Sequence, residues 1–191
     1  MPEWLSRSTP GDWDTLANDS RADHEVADCG SSESHELRLR ALLRIPLRSG
    51  ESIADVGCGT GRLADLLPQG VSYLGVDWSP KVVDLARSRR PAARFEVASV
   101  FDVPTADWIV ASGPFNYSDG WSKDQTRRAL ATMWTRARRG IAVTVLRVPT
   151  PERLSYQPSE LVPMLDGRWG HLEFDQSYLP NDVCVRAWRN H

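Results

Sequence analysis

Apolar residues in this chain follow two rhythms. Ile53 to Val56, Ser72 to Asp77, Asp107 to Asn116 and Gly140 to Val148 are short, nearly continuous apolar runs, the pattern of strands in a parallel sheet covered on both faces. Arg94 to Asp102 reads as a further strand and its turn. The other rhythm is helical. Glu36 to Ile45 carries Leu37, Leu39, Leu42, Leu43 and Ile45 among Arg38, Arg40 and Arg44, and Pro46 stops it, which predicts an amphipathic helix leading into the first strand. Ser79-Pro80 opens a second helix with an N-cap followed by proline at the first helical position. Val82, Val83, Leu85 and Ala86 turn inward there, and Pro91 ends it. Ser122-x-x-Gln125 is a capping box, and Leu130, Met133, Trp134 and Ala137 give the helix behind it an apolar stripe until Gly140.

Beyond the fifth strand, Tyr156 to Leu165 makes a short helix compromised by Pro163. Two extended runs, His171 to Ser177 and Asp182 to Trp188, are joined by Tyr178-Leu179-Pro180-Asn181, a turn short enough only for an antiparallel hairpin. The start of the chain differs. Met1 to Ser34 is rich in Asp, Glu and Ser around isolated Trp4, Trp13 and Leu16, with a short helix expected near Trp13 to Ala17. We therefore divide the chain into an N-terminal arm or lid, residues 1–34, and a single α/β domain, residues 35–191.

The organising stretch is Asp55-Val56-Gly57-Cys58-Gly59-Thr60-Gly61, a strand running into glycines at alternate positions before Arg62 to Leu67 resume with helical spacing. A helix opening behind a glycine turn offers N–H groups and a positive dipole end to a polar ligand. The dinucleotide fingerprint G-x-G-x-x-G needs its third glycine where this chain has Arg62. Here the spacing is G-x-G-x-G, with an acid two residues before it. A second acid, Asp77, ends the next strand twenty residues after Gly57, where α/β nucleotide folds place a carboxylate on ribose hydroxyls.

This combination resembles motif I and its neighbours in the class I S-adenosylmethionine-dependent methyltransferases, strongly from Ile53 to about Asn116. The resemblance implies a Rossmann-like, doubly wound, seven-stranded, mostly parallel sheet of order 3-2-1-4-5-7-6 with an antiparallel C-terminal hairpin and helices on both faces. Its cofactor would be S-adenosylmethionine, leaving as S-adenosylhomocysteine. Asp55 and the amides of Gly57, Gly59 and Gly61 would hold the methionine moiety and ribose, with Cys58 a small packing residue in the loop. Asp77 would take the ribose hydroxyls, Trp78 and Val100 would sandwich adenine, and Ser99 with the Val100 amide, next to Phe101, would read its edge. The family usually has Asp where this chain has Ser99. Plain core packing is the alternative for Trp78.

Ser112 and Gly113 would lie beneath the sulfonium, and the acceptor would sit among Gly113, Phe115, Asn116, Tyr117 and Trp13. Candidates for a base are His35, Tyr117 and His24, with a structural hydrogen bond as the alternative for each. Ser112-Gly113-Pro114-Phe115 also stands where methylases of amides and exocyclic amines carry Asn/Asp/Ser-Pro-Pro-Tyr/Phe, but Gly113 replaces the first proline. Our main expectation is transfer of a methyl group to O, N or C of a small-molecule acceptor, a bacterial metabolite or natural product. Alternatives are N-methylation of a protein or nucleic acid, a non-catalytic S-adenosylmethionine-binding partner, and a nicotinamide-linked oxidoreductase.

Composition trims this picture. A chain of 191 residues supports one sizeable core, and a net charge of −2 argues neither for nucleic acid nor for an anionic membrane. The helix after Ser122 and the turn beyond it are basic through Lys123, Arg127, Arg128, Arg136, Arg138 and Arg139, read as a solvated face; the acids of the arm, Asp12, Asp14 and Asp19, would favour a cationic acceptor. Three scattered cysteines, Cys29, Cys58 and Cys184, form neither a disulfide framework nor a metal spacing, and four histidines are too dispersed for zinc. With no apolar run near the roughly 20 residues of a spanning helix and no secretory pattern after Met1, we expect a cytoplasmic protein, monomer or homodimer, without membrane or metal.

Overall fold

The computed structural model describes residues 10–118, 120–151, 153–165, 167 and 169–190. Trp4 and the rest of 1–9 lie outside them. Seven strands form one sheet of order β3-β2-β1-β4-β5-β7-β6: β1 (Ser52–Val56), β2 (Ser72–Asp77), β3 (Arg94–Val97), β4 (Ala106–Ser112), β5 (Ala137–Leu146), β6 (His171–Asp175) and β7 (Asp182–Trp188). The first five run parallel, and β7 pairs antiparallel with β5 and β6. The expected hairpin is present.

Helix α3 (Ser32–Leu42) leads into β1, α4 (Pro80–Arg89) crosses from β2 to β3, and α5 (Lys123–Arg136) from β4 to β5. Both sheet faces are buried. One carries Leu39, Leu42, Ile53, Trp108 and Ala142, and the other Val56, Ile109, Leu130, Met133 and Val143. Thus the middles of β1, β4 and β5 are largely apolar because water reaches neither side there.

Several boundaries differ from expectation. Helix α3 starts four residues early, because the Ser31 hydroxyl accepts from the Ser34 amide at 3.1 Å and caps it. The helix expected after the glycine loop is a single 3-10 turn, Arg62–Leu66, halted before Pro68. Helix α5 ends at Arg136 instead of reaching Gly140, since Ala137 already pairs with Ala106. Arg138 and Arg139 therefore lie on β5, and Arg139 is no solvated group: only 15% of its side chain is exposed, and it pairs with Glu51 at 2.5 Å. Ser122 and Gln125 cap α5 reciprocally as the sequence indicates, and α6 (Pro158–Met164) contains Pro163.

The arm carries α1 (Pro10–Asp14) and α2 (Asp23–Val26) in place of one helix at Trp13 to Ala17. No helix among the described residues is long and apolar enough to cross a membrane.

Candidate functional site

The parallel strands end together. Val56, Asp77, Val97 and Ser112 lie at the carboxyl edge of the sheet, where β1 and β4 part to opposite connections; ligands of open α/β sheets bind at this switch point. A cavity of about 490 Å³ opens there, within the usual range for small-ligand sites. Its floor is Asp55 to Gly59 and Ser112 to Tyr117; one wall is Asp77, Trp78 and Ala98 to Phe101, and the opposite wall is His35, Arg38 and Leu39 of α3. Trp13 and Val26 to Cys29 of the arm also line it.

The two acids differ in their surroundings. Asp55 is 2% exposed and accepts from the Tyr73 hydroxyl at 2.8 Å; burial, despite that hydrogen bond, pushes its carboxyl up to about 7. Asp77 accepts from the Gly59 amide and the Ser79 amide, each at 3.1 Å. Burial again dominates, pushing it up to about 6. The Trp78 amide also acts on this carboxylate, which is 8% exposed and lines the cavity.

The glycine loop needs a correction. The Gly57 and Cys58 amides donate to the Val76 carbonyl at 2.9 and 3.1 Å, the Gly59 amide to Asp77, and the Gly61 amide to the Cys58 carbonyl at 2.9 Å. Those N–H groups are thus donated within the fold. Gly61 also lies outside the cavity lining: its φ is +79°, and a Cβ there would stand 2.4 Å from the Phe95 ring, so glycine serves packing. Gly57, Cys58 and Gly59 do line the cavity.

Trp78 is half-buried and faces the cavity, unlike a core residue. Ser99 accepts from the Phe101 amide at 3.2 Å and gives its own hydrogen to Asp102 at 2.6 Å. Towards a ligand it is left as an acceptor, the role an exocyclic amine requires.

At the other end, Phe101, Trp121 and Phe115 form a stack, with ring centroids 6.2 and 5.7 Å apart. Trp13 meets Tyr117 edge-on at 5.1 Å, and Arg153 lies over the Tyr117 ring at 4.5 Å. Asp28, which takes a left-handed φ of +52°, joins the two by accepting from Tyr117 at 3.2 Å and Arg153 at 2.5 Å. Asn116 accepts from the Leu146 amide at 3.0 Å, fixing the floor loop to β5. Gly113 takes φ +74°, which proline cannot adopt, so this loop departs in conformation as well as in sequence from the proline-proline motif.

Of the base candidates, His35 and Tyr117 line the cavity and His24 does not. Among the described residues no group of acids, histidines and cysteines could hold a metal. Asp12, Asp14 and Asp19, whose charge would favour a cationic or amine-bearing acceptor, are not lining residues, and Asp14 accepts from Ser79 at 2.5 Å.

A family profile described as a methyltransferase domain matches residues 53–140, the glycine loop through the start of β5. Over those residues, a little under half of its length, the chain is similar to that domain, and its sheet has the fold of the class I methyltransferases. The chain is 35% identical over 98 residues to 23S rRNA (uracil(1939)-C(5))-methyltransferase RlmD of Thiobacillus denitrificans, covering 48% of this chain and 22% of that protein. It is 36% identical over 75 residues to trans-aconitate 2-methyltransferase of Delftia acidovorans, covering 38% and 26%. It thus spans about a quarter of the length of these curated relatives. The N-methyltransferase NodS of Bradyrhizobium japonicum, solved with S-adenosyl-L-homocysteine, superimposes with a TM-score of 0.72 at 16% identity, over 97% of this chain and 100% of that one.

Residues around the cavity that sequence reasoning missed are Tyr73, Asp28, Arg153, Arg38 and Trp121. The i, i+3, i+4 spacing of His35, Arg38 and Leu39 marks one face of α3 and could have signalled a shared wall. Nothing local marks Arg153, which reaches Asp28 across 125 positions.

Proposed function

We propose that this chain is an S-adenosylmethionine-dependent methyltransferase acting on a small molecule, with residues 1–34 serving as a lid. The observation that carries the reading is the cavity at the switch point, with a buried acid at the end of β2 and aromatic residues beyond it. Asp77 would accept from the ribose hydroxyls, Trp78 and Val100 would flank adenine, and Asp55 would face the ammonium of the methionine moiety. Bound there, S-adenosylmethionine supplies an activated methyl group for in-line transfer to O, N or C of the acceptor. The protein's own contribution is alignment, worth up to roughly 7 to 11 kcal/mol, and exclusion of water by the arm.

A small acceptor is favoured because residues of the arm line the cavity and most of the basic side chains near α5 are engaged. Arg127 pairs with Asp124, Arg128 lies over Phe101, Arg138 pairs with Asp107 and Lys123 with Glu160. Little of that charge is left for a phosphate backbone. We take the cytoplasm as the compartment and a monomer or homodimer as the working form, with the three cysteines free. The test is release of S-adenosylhomocysteine across a panel of small carboxylic acids, phenols and amines, with ribosomal RNA alongside. Turnover on a panel member but not on RNA is expected; turnover on RNA alone would overturn the small-molecule reading.

A further inference from the structure

Two opposed needs meet at the glycine loop. The donor's amino-acid end carries a carboxylate, yet the loop's amides are used within the fold and Asp55 and Asp77 are acids. Of the cationic side chains lining the cavity, Arg38 is held two-pronged by Asp182, at 2.5 and 3.2 Å, and Arg153 by Asp28. His35 is different. It lines the cavity, is 8% exposed, and its imidazole makes no hydrogen bond among the described residues. A buried polar ring aimed into a cavity without a partner calls for a ligand atom.

His35 lines the same cavity as Gly57, Cys58 and Gly59 of the glycine loop. The charged and titratable groups facing it are Asp23 and His24 of α2, Arg38 one turn along its own helix, and Arg62 directly behind the loop. We infer that His35 binds the carboxylate of the donor's amino-acid end, taking up a proton from solvent as the cofactor enters. This rests on the reading that the donor is S-adenosylmethionine. In the free protein, burial holds the imidazole down at about 4, so it is neutral at pH 5.5; a carboxylate brought against it favours the charged form. No bond to carbon or sulfur changes in this step. A proton moves from water to the ring, and one charge-assisted hydrogen bond forms.

The experiment is calorimetric titration at pH 5.5 in two buffers of different ionisation enthalpy, on the full chain and on His35→Gln. The probes are S-adenosylhomocysteine and 5′-methylthioadenosine, which keeps adenine and ribose but lacks the amino-acid end. Asp55 and Asp77 also titrate near this pH, so the quantity read is the difference between wild type and variant. Wild type should take up about one proton more than the variant with S-adenosylhomocysteine and the same number with methylthioadenosine. Affinity for S-adenosylhomocysteine should fall roughly ten- to a hundredfold in the variant and stay unchanged for methylthioadenosine. Equal proton counts and affinities in both proteins would overturn the inference, as would an equal loss for both probes. Failure of wild type to bind either probe would instead remove the methyltransferase reading. Methylthioadenosine binding reports that the variant is folded, and His35→Asn replaces it if it is not.

Discussion

At the scale of single residues, the cavity depends on two carboxyls kept in unfavourable surroundings. Asp77→Ala removes the acceptor for the ribose hydroxyls, and cofactor affinity should fall by about 1.5 to 3 kcal/mol with the fold intact, read by titration and circular dichroism. Unchanged affinity would mean that the ribose is held elsewhere. Asp55 and Asp77 also make ligand-free stability depend on pH. Their folded-state pKa values, about 7 and about 6, lie above the unfolded value, so the folded protein holds these protons more tightly. That contribution is full below about pH 4 and is lost as pH rises through 6 and 7. His35 works the other way, since its value is lowered to about 4 and its neutral form gains between pH 4 and 6.5. Comparing wild type with Asp55→Asn isolates one term. The stability of wild type relative to the variant should decline from pH 4 to 7 by roughly 1.4 kcal/mol per unit, the slope of one proton, and level off above. A flat difference would show that Asp55 is not buried in the ligand-free protein.

At the scale of elements, the arm is fastened at three places. Arg89 and Arg90 of α4 both grip Asp23, at 2.7 and 2.6 Å, and Arg90 reaches Asp65 and the Thr60 carbonyl as well. Asp14 accepts from Ser79 at the start of α4, and Asp28 from Arg153 beyond β5. Beneath these lie Val26, Val82 and Leu85, with Trp13 and Ala17 against them. Three of the acids that mark the arm in sequence, Asp14, Asp23 and Asp28, are thus used as fasteners, a role that composition conceals because their partners lie 65 and more positions away. Arg90→Met cuts the busiest of these points while keeping an apolar stem. Hydrogen exchange should quicken across residues 12–29 and remain slow in β1, β4 and β5. Equal protection of the arm in variant and wild type would show that the ion pairs do not hold it.

At the scale of the whole molecule, the sheet was legible and its attachments were not. Strands β2 and β7 and the start of α4 stand where apolar rhythm and the Ser79-Pro80 cap put them, since both signals are local. The helix after the glycine loop and the end of α5 were misjudged because local spacing cannot weigh Pro68, or the pairing of Ala137 with β4, against helix propensity. The site was legible in the same measure: the acids and loop positions on strand ends meet in the cavity, while the uses of the glycine amides and the reach of Arg153 depend on tertiary geometry. The account stands or falls on what the cavity binds. Calorimetric titration of the full chain with S-adenosylhomocysteine and, separately, with NAD asks this directly. We predict saturable one-to-one binding of S-adenosylhomocysteine and none of NAD, whereas tighter binding of NAD would contradict the account.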